Sequence, residues 1–328
     1  MNRSEIRDEL ERALLGTDPK YTSAEVAEFA GIKLEDAKKH WRALGFADTG
    51  DDTAYGEPDI GALKTVSAAI ESGLLDEETV SKLTRALGHT MSRLADWQVA
   101  TLVERLESQV QDGASDSRLM GALELAKTVT PAFDELILYA WRRHLTASVM
   151  RMEGLGAADE ELLSGEVTVG FADLVRFTAL SNGLDDHSLG NLVESFETQC
   201  MDTITATDSR AIKTLGDAVL FVAPTPSAGV ETALRIVERI GGDPHLPDVR
   251  VGLATGSLVN RLGDVFGPPV NLASRLTGVA RRNRVIIDQV TAAALGDEFE
   301  TRPLPARPLH GFGMVEPVTV RRVWTYNG

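Results

Sequence analysis

The sequence predicts an α+β protein in two parts, an all-helical first half and a mixed α/β second half. Three observations carry that prediction. Apolar residues recur at helical spacing through the first 153 residues. A stretch with three glycines and five acidic residues, EGLGAADEELLSGE at 153–166, then breaks the pattern. Beyond it, short β-type runs alternate with helical stretches.

In the first half the periodic positions are Ile60, Leu63, Val66, Ala69 and Ile70, then Val80, Leu83, Leu87, Met91 and Leu94, then Val99, Leu102, Val103 and Leu106. Breaks fall at 45–59, 72–78 and 111–117. Thr130-Pro131 reads as the start of a further helix, Thr130 as its cap and Pro131 at its first position, running to about Met152. Leu138, Trp141, Leu145, Val149 and Met152 line one side of it. This gives a helical domain at 1–153 with a linker helix at 131–152, a linker at 154–163, and an α/β domain at 164–328. In the α/β part the strand-like runs are VTVGFA (167–172), AVLFVA (218–223), VRVGLAT (249–255) and RVIID (284–288). Helical stretches lie between them at about 186–205, 227–241, 268–281 and 289–296.

Composition narrows the function. At 328 residues and 43% hydrophobic, the chain is long and apolar enough for two cored domains. A formal net charge of −16 disfavours nucleic acid and anionic lipid as partners. Local cations and bound metal can still offset that charge around a nucleotide. Cys200 is the single cysteine, so no disulfide forms within the chain, which fits a reducing cytoplasm. No signal-peptide core opens the sequence, and no apolar run reaches membrane-spanning length.

The chemistry-bearing residues cluster in the second half. Asp173 follows VTVGFA directly, and Gly216-Asp217 stands between RAIK and AVLFVA like the turn of a hairpin. Two carboxylates at strand ends suit hard cations such as Mg²⁺, and a pair of metals can activate one oxygen while stabilising another. Lys213 precedes Asp217 by four residues. Pro268-Pro269 opens a helix on which Asn271 and Arg275, four apart, share a face. Arg275 offers a planar fork for phosphate. Taken singly, each has a bland reading as a turn, a strand-edge charge or a solvated helix face.

Together they resemble the class III nucleotidyl cyclase domain. The residues carrying the resemblance are FADLVRFT from 171, KTLGD from 213 and GDVFGPPVNLASR from 263, with Asp217 44 residues after Asp173 and Asn271 7 after Asp264. The resemblance covers about 164–328 and implies a ferredoxin-like α/β catalytic fold. It also implies an adenylate cyclase that converts ATP to cyclic AMP and pyrophosphate with two metal ions, Mg²⁺ or Mn²⁺, per site. Asp173 and Asp217 would hold both metals, assisted by the backbone carbonyl of Leu174. Lys213 and Asp264 would read adenine, whose N1 accepts and whose amino group donates. Asn271 would orient the ribose, and Arg275 would stabilise charge on the α-phosphate. In that family the metal aspartates come from one subunit and the other groups from its partner, which implies a head-to-tail homodimer.

One position departs from the family. PLHGFGMVEPVTVRRVW resembles its closing strands, where a Lys or Arg before Gly-Phe contacts the triphosphate; here the residue is His310, with Arg302 and Arg307 nearby as substitutes. His310, and His144 in the WRRH run, are expected to make activity respond to pH. LTRALGHTMSRLADWQ (83–98) resembles the helical regulatory domain that precedes some actinobacterial cyclase domains. YTSAEVAEFAGIKLEDAKKHWRALGF (21–46) reads as the opening of a helix-turn-helix, but its acidic surround favours a packed three-helix unit. Two other functions compete with a regulated cyclase: a DNA-binding regulator, and a catalytically dead ATP-binding scaffold.

Overall fold

The computed structural model describes residues 3–109, 115–154, 166–261 and 263–323. They fall into two compact units, Met1–Arg151 and Met152–Gly328.

The first unit is helical: α1 (Arg3–Leu15), α2 (Ser23–Ala30), α3 (Leu34–Leu44), α4 (Glu57–Glu71), α5 (Glu77–Gln109) and α6 (Ser115–Gly154). Thr22 and Glu25 close a reciprocal capping box on α2, and Gly31 ends that helix in the left-handed conformation. The turn at Gly31 lets α2 and α3 bury Val26, Ala27, Ala37 and Trp41 against Ile60 and Leu63 of α4, with Trp41 stacked on Tyr55 at 4.3 Å. The 21–46 segment is thus packed into a helical bundle. A Cβ on Gly88 of α5 would collide with the backbone of Leu44, so this glycine permits the α3–α5 contact.

The expected helix start at Thr130-Pro131 is corrected by the structure. Both residues lie inside α6, a 40-residue helix that begins at Ser115. A proline removes one amide donor and costs roughly 3 kcal/mol in a helix interior. That cost is local, while Ala- and Leu-rich sequence on both sides propagates the helix one bond per residue. Gly154 ends α6, and the rest of the expected 154–163 linker lies outside the described residues.

The second unit comprises β1 (Glu166–Leu174), α7 (Phe177–Ser181), α8 (Asp186–Thr205), β2 (Arg210–Thr214), β3 (Ala218–Ala223), α9 (Pro226–Gly241), β4 (Val249–Ser257), β5 (Val259–Arg261), β6 (Asp264–Phe266), α10 (Pro268–Val279), β7 (Arg284–Ile287), α11 (Gln289–Ala293), β8 (Phe299–Pro303), β9 (Arg307–Leu309), β10 (Gly313–Val315) and β11 (Val318–Arg322). Seven strands form one sheet in the order β2-β3-β1-β4-β7-β11-β8. Its first four strands, with α8 and α9 as crossovers, make the ferredoxin-like β1-α8-β2-β3-α9-β4 unit.

Alternation along the strands separates two cores. Leu174, Val249 and Val251 face α8 and α9 and pack with Phe196, Cys200, Ile236 and Ile240. Val169, Leu220 and Ala254 face the other way, onto Ala273 and Leu276 of α10. A Cβ on Gly252 would strike the Thr277 amide and the Ala273 carbonyl, so this glycine lets α10 lie close on β4. Close seating of α10 fixes the helix that carries Asn271 and Arg275.

Candidate active site

Asp173 is the penultimate residue of β1, opposite Ala218 of β3 and Arg250 of β4. Gly216 and Asp217 form the turn between β2 and β3, as the sequence pattern implies, with Gly216 left-handed at φ 72°. The Leu174 amide donates to the Asp217 carbonyl at 2.9 Å, which ties the two carboxylate-bearing segments together. Burial raises the Asp173 pKa and Asp217 adds to the rise, against the lowering by Arg250.

The partner of Asp173 is the residue that sequence reading passed over. Arg250 donates to Asp173 Oδ2 from Nε at 2.7 Å, and Nη2 lies 2.5 Å from the same oxygen. Its Nη1 also donates to the Gly278 carbonyl near the end of α10 at 3.4 Å. The available signal was an arginine within the otherwise apolar run VRVGLAT, directly across β4 from an acidic strand end.

Lys213 and Asp264 meet. Lys213 Nζ donates to Asp264 Oδ2 at 2.5 Å across β2 and β6, and both side chains are about one-third exposed at 32% and 29%. Burial works to raise the Asp264 pKa, but the Lys213 ammonium and the Val265 amide outweigh it and hold the carboxyl below its ordinary value. A donor and an acceptor are thereby held side by side at an accessible edge.

Asn271 and Arg275 lie on the outer face of α10, both exposed, and neither side chain bonds to another described residue. His310 is exposed in the turn between β9 and β10, followed by left-handed Gly311 and Gly313. One chain thus gathers Asp173, Leu174 and Asp217 at one end of the sheet and pairs Lys213 with Asp264. It leaves Asn271, Arg275 and His310 free at its surface.

The donor set at Asp173, Leu174 and Asp217 is all oxygen, two carboxylates and a backbone carbonyl. That suits Mg²⁺ or Mn²⁺, which retain waters and need only one or two carboxylates. The guanidinium on Asp173 shows that this carboxylate already favours a positive neighbour. Among the described residues no group of three or more His, Cys, Asp or Glu side chains forms a self-sufficient metal cage. A metal at this site would need further ligands, from solvent or a substrate phosphate. No described helix is long and apolar enough to cross a membrane.

Residues 161–320 match the family described as the adenylate and guanylate cyclase catalytic domain, and residues 6–145 match the adenylate cyclase regulatory domain. An adenylate cyclase of Streptomyces coelicolor is 37% identical over 95% of this chain and 89% of its own length. A pH-sensitive adenylate cyclase of Mycobacterium tuberculosis is 35% identical over 88% and 74%. The adenylyl cyclase CyaB of P. aeruginosa, a solved structure, aligns with 50% of this chain and 97% of its own at 21% identity and a TM-score of 0.44. By its likeness to the Streptomyces enzyme, which runs through both halves, the chain belongs to the class III adenylate cyclase family, with a regulatory domain ahead of its catalytic domain.

Proposed function

We propose that this chain converts ATP to 3′,5′-cyclic AMP and pyrophosphate at sites shared between two copies of itself. The observation that carries the reading is the pairing of Lys213 with Asp264 on the same α/β unit as the joined Asp173 and Asp217 segments. One pair is equipped to read a purine edge, the other to hold cations against phosphate.

Lys213 would donate to adenine N1 and Asp264 would accept from the 6-amino group. Guanine reverses both polarities, so the wrong base leaves two polar groups unpaired, a mismatch that discriminates by roughly 10⁴ or more. Asp173, Asp217 and the Leu174 carbonyl would hold two Mg²⁺ or Mn²⁺ ions. Bound there, the metals would favour ionisation of the ribose 3′-hydroxyl and neutralise the leaving phosphates. Asn271 orients the ribose so that the 3′-oxygen lies in line with the α-phosphorus. As the new O–P bond forms, the bond from that phosphorus to the α–β bridging oxygen breaks. Pyrophosphate departs and the hydroxyl proton passes to solvent. Arg275 stabilises the charge that develops on the α-phosphate, and His310 would contact the triphosphate tail.

Support for the shared site comes from exposure. Asn271 and Arg275 point outward from α10 with no partner among the described residues, ready for a nucleotide held by another copy. The helical unit would regulate the catalyst, in line with the family match of residues 6–145. A DNA-binding role for α3 is opposed by its ion pairs, Lys38 with Asp48 at 3.0 Å and Lys39 with Glu77.

The test is cyclic AMP formation by the full chain with Mg²⁺ or Mn²⁺. ATP should be cyclised and GTP left essentially untouched. Nucleotide binding without any cyclic product would establish the scaffold instead.

A further inference from the structure

A cavity lies beyond the end of β1 and the start of β4. It measures about 1010 Å³ and is lined by Val175 and Arg176 after β1, Asp248 before β4, and Arg281 and Arg282 after α10. Its floor is apolar, with Leu180 of α7, Leu184, Leu192 of α8, and Leu246. Leu192 and Leu246 pack against the core that receives Leu174 and Val249. Asp173 and Arg250 are the strand neighbours of Leu174 and Val249, so their side chains leave the sheet on the opposite face. Asp173 and Arg250 therefore point away from the face of the sheet against which Leu192 and Leu246 pack.

Its charge runs against the chain as a whole. In a sequence of net charge −16, four basic residues, Arg176, His245, Arg281 and Arg282, ring this cavity with a single carboxylate, Asp248. That carboxylate is already engaged, accepting from Asn283 Nδ2 at 2.5 Å and lying 3.8 Å from Arg282. Arg176 and Arg281 are exposed and make no ion pair among the described residues. Low-dielectric walls beneath same-sign charges focus the field into a cleft.

The backbone is also constrained here. Among the described residues only two non-glycine positions are left-handed: Arg176 at φ 60°, which lines this cavity, and Asn283 at φ 52°, which follows the lining residue Arg282. Asn283 is held by its bonds to Asp248 and to the Val249 amide. Arg176 makes no such side-chain bond among the described residues, and its left-handed backbone places an arginine on the cavity wall where glycine would cost less.

We propose that this cavity binds a small organic anion, an apolar body seated on the leucine floor with a phosphate or carboxylate head held by Arg176, Arg281 and Arg282. Inorganic phosphate would leave the floor empty, and a neutral apolar molecule would leave the arginines unanswered; pockets for small molecules combine such a wall with a few placed polar groups. The site bears on catalysis through the backbone. Val175 donates to the Asp248 carbonyl at 2.7 Å, and its neighbour Leu174 donates to the Asp217 carbonyl, so an occupant braces the end of β1 and the β2–β3 turn joined to it, which on the proposed function hold the metals.

The test is calorimetry on the full chain in EDTA without nucleotide, using phenyl phosphate as probe, so the outcome does not depend on cyclase activity. Phenyl phosphate should bind saturably, at least about tenfold tighter than inorganic phosphate or benzyl alcohol. Its affinity should fall about tenfold or more in Arg281→Gln/Arg282→Gln and in Arg176→Gly. The glycine variant relieves the left-handed backbone, so an undiminished melting temperature separates lost binding from lost folding. Arg275→Ala should bind the probe as the parent does. Absence of saturable binding overturns the proposal, as does binding unchanged in the rim variants, binding lost in Arg275→Ala, or inorganic phosphate binding equally well.

Discussion

Arg250 Nε donates to Asp173 Oδ2 at 2.7 Å, so a protein cation already sits on one oxygen of this carboxylate. The pair is partly buried, with side chains 31% and 18% exposed. On the proposed function, a divalent ion at Asp173 would compete with this guanidinium, and Arg250 once displaced would have its donors free for a phosphate.

Arg250→Leu separates those two roles. In the nucleotide-free protein, Mn²⁺ affinity should rise roughly several-fold to tenfold, because a charge-assisted bond to Asp173 is no longer in competition. Turnover should fall at least about tenfold, because a cation at the phosphate end is lost. Calorimetric Mn²⁺ titration and a cyclic AMP assay read the two effects. Weaker Mn²⁺ binding in a folded variant would show that Arg250 orders the site rather than competing for it.

Asp173→Ala and Asp217→Ala should each abolish turnover, and the double variant should be no worse than either alone, because residues that act as a unit are not additive. The Asp217 carbonyl, which holds the Leu174 amide, survives the alanine change, so loss of activity there reports the carboxylate itself. Initial rates at saturating metal and ATP decide the matter. Activity above about a tenth of the parent in either single variant would rule out two-metal catalysis by these residues.

Mixing the inactive Asp173→Ala and Arg275→Ala chains should restore activity. In a heterodimer one of the two shared sites regains every group while the other lacks both. Persistent inactivity, with heterodimers shown by differential tagging, would place the whole site within one chain.

Much of this was legible in the sequence, because it rests on local pattern. The hairpin at Asp217 follows from Gly-Asp between two β-type runs, and the α10 face from Pro-Pro with Asn271 and Arg275 four apart. What escaped depends on neighbours distant in sequence. The Asp173–Arg250 pair exists only because β1 lies beside β4, 77 residues on. The β5–β6 hairpin, three residues per strand, is too short to show a period of two, yet it delivers Asp264 to Lys213. Pro131 misled in the other direction, since a helix-entry signal carries no information on whether the preceding turns are already helical.

The Lys213–Asp264 ion pair should govern base choice. Lys213→Glu with Asp264→Ser removes the donor–acceptor order that matches adenine. ATP turnover should drop at least about tenfold, and the preference for ATP over GTP should shrink by roughly two orders of magnitude or more. Comparing kcat/KM for the two nucleotides reads this directly. An unchanged ratio in a folded variant would mean the purine is read elsewhere.

His40 of α3 is buried, 8% exposed, and burial is the main cause that lowers its pKa from the ordinary 6.5. The neighbouring Lys39 lowers it further, while Asp36 and Glu77 act in the opposite sense. In the unfolded chain the imidazole takes up a proton at its ordinary pKa; in the folded unit it does so only at lower pH. Between those two values the unfolded state binds more protons, so stability falls as pH falls. The full contribution is present above pH 6.5 and is lost progressively below it, down to the depressed folded pKa. Acidification through the range below 6.5 should therefore lower the melting temperature of the helical unit. His40→Gln, uncharged throughout, should flatten that dependence even if it lowers stability uniformly. Thermal unfolding at a series of pH values, parent against variant, makes the comparison. A parent profile that is flat below 6.5, or an equally steep one in His40→Gln, would remove His40 as the titrating group.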